Sequence, residues 1–254
     1  MLLLHRITPF LFSFVVFIGL GCLIFFRIHP LLVIPLLLLL CGFLLARLFE
    51  FQFSSIQNRF FFGTPLLFLI SVFGFLLFLE SSLFQWMLAG FSTLMLFFFV
   101  EHLFHYIHLP ARYQAYTLEH LSLVIDILTV YFISSAGFGL RMFLHIPLWM
   151  IALVFTVCAF FVILNMLWVS KVETEMAKPY AIAGAILAME IFVVISFLPT
   201  GFYVNAAILA IFFYLFLGLT RAHFLDALTH RLVRHYLLIA SLLFFLVVGT
   251  AQWL

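Results

Sequence analysis

The sequence predicts an all-α fold, a polytopic membrane helix bundle with about nine transmembrane helices in a single domain over residues 1–254. Composition is the first reason: 68% of the 254 residues are hydrophobic and 8% are charged, whereas about 25% of the residues in a soluble domain are charged. A mean hydropathy of +1.36 agrees with this composition. In addition, apolar runs of about 20 residues, the length that crosses a bilayer, recur along the whole chain. The lipid bilayer is therefore its expected environment.

Charges, prolines and polar clusters divide the chain into nine apolar segments. The spans are placed near residues 8–26, 31–48, 60–79, 83–109, 119–136, 146–169, 180–198, 203–222 and 236–253. Only residues 27–30 separate the first two spans, so these are expected to form a tight hairpin. The first span lacks a small-x-small cleavage site, which favours a retained helix over a removed signal peptide.

The basic residues fall on alternating breaks and therefore test both the span count and the orientation. With nine spans, nine basic side chains lie on one side of the membrane and two on the other. The larger group is Arg6, Arg47, Arg59, Arg112, Lys171, Lys178, Arg221, Arg231 and Arg234, and the smaller is Arg27 and Arg141. Basic residues accumulate on the cytoplasmic side. The N-terminus is therefore predicted to be cytoplasmic and the C-terminus to lie outside the cell membrane. A basic face of the kind that binds nucleic acid does not form, which excludes that partner.

Ionisable residues within a bilayer are costly and therefore mark candidate sites. The inner end of span four carries Glu101, His105 and His108 on one narrow helical stripe. Span five carries Glu119 and Asp126 on one face. Because a link of about eight residues joins the two spans, their stripes are expected to face each other. These five residues are the candidate catalytic groups.

The same region is rich in groups that bind divalent metals. The candidate metal ligands are His102, His105, His108, Glu119 and His120. Imidazole and carboxylate donors suit zinc or iron, so a divalent metal is the cofactor that this pattern allows. Two alternatives stay open: the residues are hydrated and hydrogen-bonded to one another at the cytoplasmic interface, or they handle protons or a substrate. No HExxH, di-iron Glu-x-x-His or desaturase His-box spacing is present to decide between them.

A second polar group lies at the end of span eight. His223, Asp226, His230 and Arg234 are expected to share one helical stripe on the cytoplasmic side. The candidate ligands for a lipid headgroup or phosphate are Arg221, His223, His230, Arg231 and Arg234. The pattern is also typical of an amphipathic interfacial turn whose arginines meet anionic headgroups.

A third polar feature lies deeper in the membrane. Glu190 follows Pro179 by a distance of roughly 16 Å at 1.5 Å per residue, which is close to the bilayer midplane. Asn165 and Asp126 are shallower. Glu190 is expected to be buried among helices and to carry its proton, because an ionised carboxylate at that depth is expensive. The opposite side of the same span carries a small-residue stripe suited to close helix packing, consisting of Ala177, Ala181, Gly184 and Ala188.

Short motifs give little further guidance. The sequence contains no Walker A, GxGxxG or GxSxG motif. Residues 199–205, PTGFYVN, lead into span eight and resemble a segment of multi-pass membrane proteins of small-genome bacteria that have no known activity. This resemblance implies a membrane-spanning fold and no particular reaction.

Three classes of function remain open. An accessory or structural subunit, working with another membrane protein or as a homo-oligomer, is favoured first because catalytic motifs are absent. One alternative is a membrane-embedded enzyme that acts on a lipid-linked substrate through the cytoplasmic histidines and carboxylates. The other is a transporter that uses Glu190 and Asp126. Converging histidines would favour the enzyme, a wide polar cavity the transporter, and dispersed polar groups the structural subunit.

Overall fold

The computed structural model describes residues 5–26, 30–51, 56–114, 116–170, 172 and 174–251, and this part of the chain is all-helical. Nine long helices follow one another in it: α1 (Thr8–Phe26), α2 (Pro30–Leu48), α3 (Ile56–Leu76), α4 (Ser82–His108), α5 (Thr117–Leu144), α6 (Leu148–Val169), α7 (Thr174–Ile195), α8 (Phe202–Phe224) and α9 (His230–Gly249). By length and composition, eight of these described helices can cross a membrane, and α2 carries a shorter apolar stretch, Leu32–Leu48. The predicted fold class and the count of about nine spans are confirmed.

Helix α5 extends further than the sequence predicts, ending at Leu144 rather than at residue 136. Gly137 was expected to begin the break, but it serves helix packing instead. A Cβ atom at this position would lie 3.0 Å from Ile151 Cγ2 and 3.4 Å from Phe192 Cζ. The absence of a side chain therefore allows α5 to approach its neighbours closely. The helix stops before His145, whose φ of 53° lies in the left-handed region.

Helices α7 and α9 both begin earlier than expected. Helix α9 begins at His230 rather than at residue 236, because Thr229 caps it: its Oγ1 accepts a hydrogen bond from the Leu232 N–H at 3.3 Å. Such a cap satisfies one of the free N–H groups of the first turn. Helix α7 begins at Thr174 rather than at residue 180, so Pro179 lies inside the helix.

The chain divides into two compact units, Met1–Ile125 and Asp126–Leu254, and the division falls within α5. In the first unit α1 packs on α2 and α4, and α3 packs on the same two helices, which closes a four-helix arrangement. Its core includes the fully buried Phe12 and Phe99. In the second unit α6, α7 and α8 pack on one another, and α9 packs on α8.

A contact between two helix ends agrees with alternating spans in the second unit. The Arg141 guanidinium near the end of α5 donates to the Ser196 carbonyl oxygen, just after α7, at 3.1 Å. The C-terminal ends of α5 and α7 therefore lie on one side, as nine alternating spans require. Arg27, Lys171 and residues 252–254, which also entered the span and charge predictions, lie outside the described residues, as does the Arg112 side chain.

The outer helix surfaces suit contact with lipid. Along α9 the only residue classed as buried in the described structure is Ala240. Large apolar side chains such as Leu242 and Phe245 are exposed on this helix. In a bilayer these groups contact acyl chains, which are as apolar as the side chains themselves.

Candidate functional site

His108, at the C-terminal end of α4, lies beside two residues that are far from it in the sequence. Its Nε2 is 3.6 Å from Oε1 of Glu50, which follows α2. Its ring stacks on that of His5, with 4.8 Å between the ring centroids and 25° between the ring planes. It also stacks on the Phe104 ring, at 5.2 Å and 18°. One donor atom from each of His5, Glu50 and His108 lies within 4.8 Å of the other two. These three residues are called the His5–Glu50–His108 cluster.

The end of α2 determines where Glu50 points. The Glu50 N–H donates to the Arg47 carbonyl at 3.1 Å, and the Phe51 N–H donates to the Ala46 carbonyl at 2.9 Å. This pair of bonds is the Schellman motif, in which glycine usually occupies the left-handed position. Here that position is Glu50, with φ of 52°. A non-glycine residue in this conformation costs about 1–2 kcal/mol, so the chain keeps a carboxylate at this position despite backbone strain.

The imidazoles of the cluster are poorly satisfied. The His108 side chain is 9% exposed, and its ring nitrogens have only the Phe104 backbone and the Glu50 carboxylate as polar neighbours, at geometries that fall short of a hydrogen bond. His5 Nδ1 is buried and unpartnered in the same way. Most buried polar atoms in proteins have at least one partner, so three such nitrogens in one place require an explanation.

The chemistry of the cluster is that of a metal-binding set. Two imidazoles and one carboxylate are the protein ligands of several zinc and iron sites. Within the part of the chain that the structure describes, this is the one group of at least three His, Cys, Asp or Glu side chains close enough to share an ion. The sequence-based candidates contained His108 but neither His5 nor Glu50. A signal for them exists in the sequence, because alternating spans place the segment before span one and those after spans two and four on the same side of the membrane.

Glu101 and His105 pair with each other inside α4. His105 Nδ1 lies 2.9 Å from the Glu101 carbonyl oxygen and 3.8 Å from Glu101 Oε1. This is the i,i+4 neighbour relationship that the predicted stripe requires. His102, on the same helix, is half-buried. Among the described residues, neither Glu101, His102 nor His105 belongs to a group of three possible metal ligands.

Glu119, at the start of α5, is held by Tyr113 rather than by a histidine. The Tyr113 hydroxyl donates to Glu119 Oε2 at 3.2 Å and accepts from the Leu118 N–H at 3.2 Å. Burial raises the pKa of Tyr113 to about 12, and the nearby Glu119 carboxylate adds to the increase. A tyrosine with this pKa stays neutral and remains a hydrogen-bond donor to Glu119. His120, the neighbouring candidate ligand, is exposed.

Asp126 is buried and pairs with Asn165, so two of the three intramembrane polar residues are brought together. The Asn165 Nδ2 donates to both carboxylate oxygens of Asp126, at 3.0 Å and 2.8 Å. Ser122 and Thr129 lie on the same face of α5 and are also buried. The expected shared environment of Asp126 with the α4 histidines stays a prediction, because Asp126 belongs to the second unit and those histidines to the first.

The predicted stripe at the end of span eight is interrupted. Helix α8 ends at Phe224, and Asp226 occupies a left-handed position with φ of 51°. A second Schellman pair closes this end, with the Asp226 N–H on the His223 carbonyl and the Ala227 N–H on the Ala222 carbonyl, at 3.1 Å and 3.0 Å. His230 and Arg234 belong to the next helix. The prediction of one helical stripe through all four residues is therefore wrong.

Two open grooves flank Arg234 on α9. One, of about 800 Å³, is lined by Tyr214, Thr229, Arg231, Leu232, Arg234, His235, Tyr236 and Leu238. The other, of about 250 Å³, is lined by His230, Val233, Arg234, Leu237, Leu238 and Ser241. Three of the five predicted headgroup ligands thus line the grooves: His230, Arg231 and Arg234. Arg221 and His223, at the end of α8, do not.

Glu190 is exposed, and the expectation that it is buried among helices is wrong. The small-residue side of α7 packs inward, with Ala177, Ala181 and Ala188 fully buried. Gly184 lies on this side too, since a Cβ there would approach Phe216 Cζ to 2.7 Å. Because Glu190 lies on the opposite side of the same helix, close packing of the small residues turns it outward.

Comparisons with known proteins identify no family for this chain. No family model matches it, and neither does any curated protein sequence or any solved structure.

Proposed function

We propose that this chain is a structural subunit of the cell membrane that assembles with a second copy of itself through the exposed face of α7. The observation that carries this proposal is the position of Glu190. Its carboxylate lies on an outer helix surface, within a segment long and apolar enough to cross a membrane, Ala177–Ile195. A carboxylate that faces lipid within the bilayer is costly, and contact with another protein surface removes that cost.

The residues around Glu190 define the contact face. Ile186, Leu187 and Val194 are one turn away on the same side of the helix, and all three are exposed, Val194 to 67%. Glu190 is thus a single polar group surrounded by exposed apolar side chains. We call these four residues the Glu190 face. A flat apolar surface with one central hydrogen-bonding group is suited to packing against another transmembrane helix.

A second copy of the chain is the occupant that this surface fits best. A two-fold symmetric interface brings the same residue of each copy together. A neutral carboxyl group both donates and accepts a hydrogen bond, so two facing Glu190 side chains satisfy each other. The surrounding apolar side chains then pack as self-complementary surfaces around the axis.

The other two classes of function receive less support. The enzyme hypothesis required Glu101, His105, His108, Glu119 and Asp126 in one site. His108 does meet a second histidine, His5, which favours this hypothesis. The other predicted residues pair elsewhere in the described structure: His105 with Glu101, Glu119 with Tyr113, and Asp126 with Asn165. The transporter hypothesis required Asp126 and Glu190 to act together. Asp126 is buried and Glu190 is exposed, so the two carboxylates have different surroundings.

Orientation is part of the proposal and has its own test. The distribution of basic residues supports a cytoplasmic N-terminus and a C-terminus outside. Reporter fusions after Leu254 and at Val172, between α6 and α7, are expected to give signals from opposite sides of the membrane. Signals from the same side would contradict nine alternating spans.

Disulfide cross-linking in native membranes tests the assembly. Cys22, Cys41 and Cys158 are unpaired and are first replaced by alanine. A Leu187→Cys substitution places a thiol on the Glu190 face, and Leu242→Cys places one on the exposed surface of α9 as the matched control. Oxidation is expected to yield dimers with Leu187→Cys and not with Leu242→Cys. Equal cross-linking at both positions would indicate random collision and overturn the proposal.

Substitution of Glu190 distinguishes a specific hydrogen-bonded contact from nonspecific association of apolar helix surfaces. Glu190→Gln retains a hydrogen-bond donor and an acceptor, whereas Glu190→Leu retains a similar side-chain volume without either group. Interhelical hydrogen bonds in membranes contribute about 1–2 kcal/mol in model peptides, which is roughly a 5- to 30-fold change in dimer affinity. Glu190→Leu is expected to weaken the dimer to this extent, and Glu190→Gln is expected to weaken it less. Photobleaching of the labelled wild-type chain in bilayers is expected to show two steps per particle. A single step, which indicates monomers, would overturn the proposal.

A further inference from the structure

We propose that His5, Glu50 and His108 bind one divalent transition-metal ion, with Zn²⁺ as the ion that their donor set favours. This inference is independent of the assembly through α7, because all three residues belong to the first compact unit and Glu190 belongs to the second. Each residue offers one donor atom, and the three donors lie within 4.8 Å of one another.

The spacing of the donors is close to that of a ligated ion. Ligands at about 2.0–2.1 Å from a tetrahedral zinc ion are separated from each other by about 3.3 Å. In the cluster, the distance between His108 Nε2 and Glu50 Oε1 is 3.6 Å. The His5 donor lies no farther than 4.8 Å from the other two, so binding also requires the stacked rings to rotate until their nitrogens converge. Glu50 is 57% exposed, so its carboxylate is free to move toward an incoming ion.

The unpartnered nitrogens provide a second, independent observation. The His108 side chain is nine-tenths buried, and neither of its ring nitrogens forms a hydrogen bond of good geometry in the described structure, although the Phe104 backbone and the Glu50 carboxylate are near. His5 Nδ1 is buried without a partner as well. Stacking of the two rings holds them together but gives their nitrogens no bonding partner. A cation bound to one nitrogen of each ring satisfies His5 Nδ1 and one of the two His108 nitrogens.

The ligand types narrow the choice of ion. Two imidazoles and a carboxylate suit zinc and its transition-metal neighbours, whereas calcium and magnesium prefer sites made of oxygen ligands. Three protein ligands leave a fourth tetrahedral position open, as in catalytic rather than structural zinc sites. The site is therefore an open one.

A plain ion pair is the competing explanation, in which a protonated His108 faces Glu50 and no metal binds. The two explanations differ in stoichiometry and in spectroscopic behaviour. A metal site takes up one ion per chain and imposes a coordination geometry on Co²⁺ that its visible absorption reports. An ion pair does neither.

Metal titration of the full chain tests the site. The protein is purified in detergent through a tag without histidines, stripped with a chelator and titrated calorimetrically with Zn²⁺, and Co²⁺ spectra are recorded in parallel. Wild type is expected to bind one ion per chain. Glu50→Gln preserves shape at an exposed position and is expected to weaken binding at least about tenfold, and His108→Ala is expected to do the same, since even outer-shell partners of metal ligands contribute 10- to 100-fold.

His102→Ala is the matched control, because His102 is a half-buried histidine of the same helix outside the cluster. It is expected to leave both the affinity and the Co²⁺ spectrum unchanged. If His108→Ala does not fold, Glu50→Gln decides the outcome by itself. Wild type without stoichiometric binding, or equal binding by wild type and Glu50→Gln, would overturn the inference.

Discussion

Asn165 and Asp126 form a buried polar pair between α6 and α5, in which one amide nitrogen donates to both carboxylate oxygens, at 3.0 Å and 2.8 Å. Both residues are almost fully buried. A carboxylate in such surroundings is stabilised only by the donors that the protein supplies. The pair therefore fixes the relative position of two helices that are otherwise joined by apolar packing.

Removing Asn165 is expected to destabilise the protein more than removing both partners. Asn165→Ala leaves a buried carboxylate with fewer donors, which costs about 1–3 kcal/mol. The Asp126→Ala, Asn165→Ala double variant loses both members of the pair, so its loss of stability is expected to be smaller than the sum of the single losses. The free energy of unfolding in mixed detergent micelles is measured for wild type, the two single variants and the double variant. Strictly additive losses would contradict a direct interaction.

Tyr113 is expected to ionise at a pH about two units higher than an ordinary tyrosine does. Its pKa is raised to about 12 by burial, whereas the unfolded value is about 10. The neutral hydroxyl thus contributes stability below about pH 10, and this contribution is lost as the pH rises toward about 12. The difference in tyrosinate absorbance between wild type and Tyr113→Phe isolates this group. A difference spectrum that titrates near pH 10 would contradict the burial effect.

Gly184 is expected to tolerate no side chain without a loss of stability. An added Cβ would lie 2.7 Å from Phe216 Cζ and 3.0 Å from Ile163 Cδ1, and Ile163 is fully buried. Overpacking of this kind costs about 1–3 kcal/mol, which exceeds the gain of up to about 1 kcal/mol from better helix propensity.

Gly63→Ala is the matched control for Gly184→Ala, because no atom lies within 4 Å of its added Cβ. Gly63 also lies within a helix, so the same substitution there retains only the propensity gain. Thermal unfolding in one detergent is expected to show a lower midpoint for Gly184→Ala and an unchanged or higher one for Gly63→Ala. Equal shifts would show that space around Gly184 does not limit packing.

The grooves beside Arg234 are expected to bind the phosphate of an anionic lipid. Arg231 and Arg234 are exposed and lie one turn apart on α9, and Tyr214 and Tyr236 border the larger groove with ring centroids 5.1 Å apart. Basic residues at a membrane surface contribute about 1 kcal/mol each toward anionic lipid, or roughly fivefold per residue.

Native mass spectrometry with phosphatidylglycerol and phosphatidylcholine measures this preference. Replacing Arg231 and Arg234 by glutamine is expected to remove most of the preference for the anionic lipid. Arg59→Gln, at an exposed arginine of α3, serves as the control and is expected to preserve it. Equal lipid binding by wild type and the double variant would locate the preference elsewhere.

Local sequence patterns predicted the helices well because membrane spans are defined by local properties. Hydropathy and length alone identified α1, whose observed bounds match the predicted ones, since no other part of the chain is needed to satisfy its backbone. Helix ends were predicted less well. Gly137 has a packing role that only its neighbours reveal, and Thr229 acts as a cap that extends α9.

The small-residue stripe of α7 shows what periodicity can and cannot determine. The sequence predicted that Ala177, Ala181, Gly184 and Ala188 form a packing surface, and the alanines are fully buried. It also predicted burial of Glu190, on the argument that a charge avoids lipid. Because α7 packs through one face only, burial of the alanine side leaves the opposite side, which carries Glu190, exposed.

The sequence by itself determined that this chain is a multi-span helical membrane protein and which residues are costly in a bilayer, because both follow from composition and from spacing along one helix. Only the tertiary structure decided which of those residues meet. Periodicity places His108 on a face of α4, but its partners, Glu50 and His5, come from distant segments. Helix order and rotation, which depend on packing over the whole surface of each helix, brought the three together.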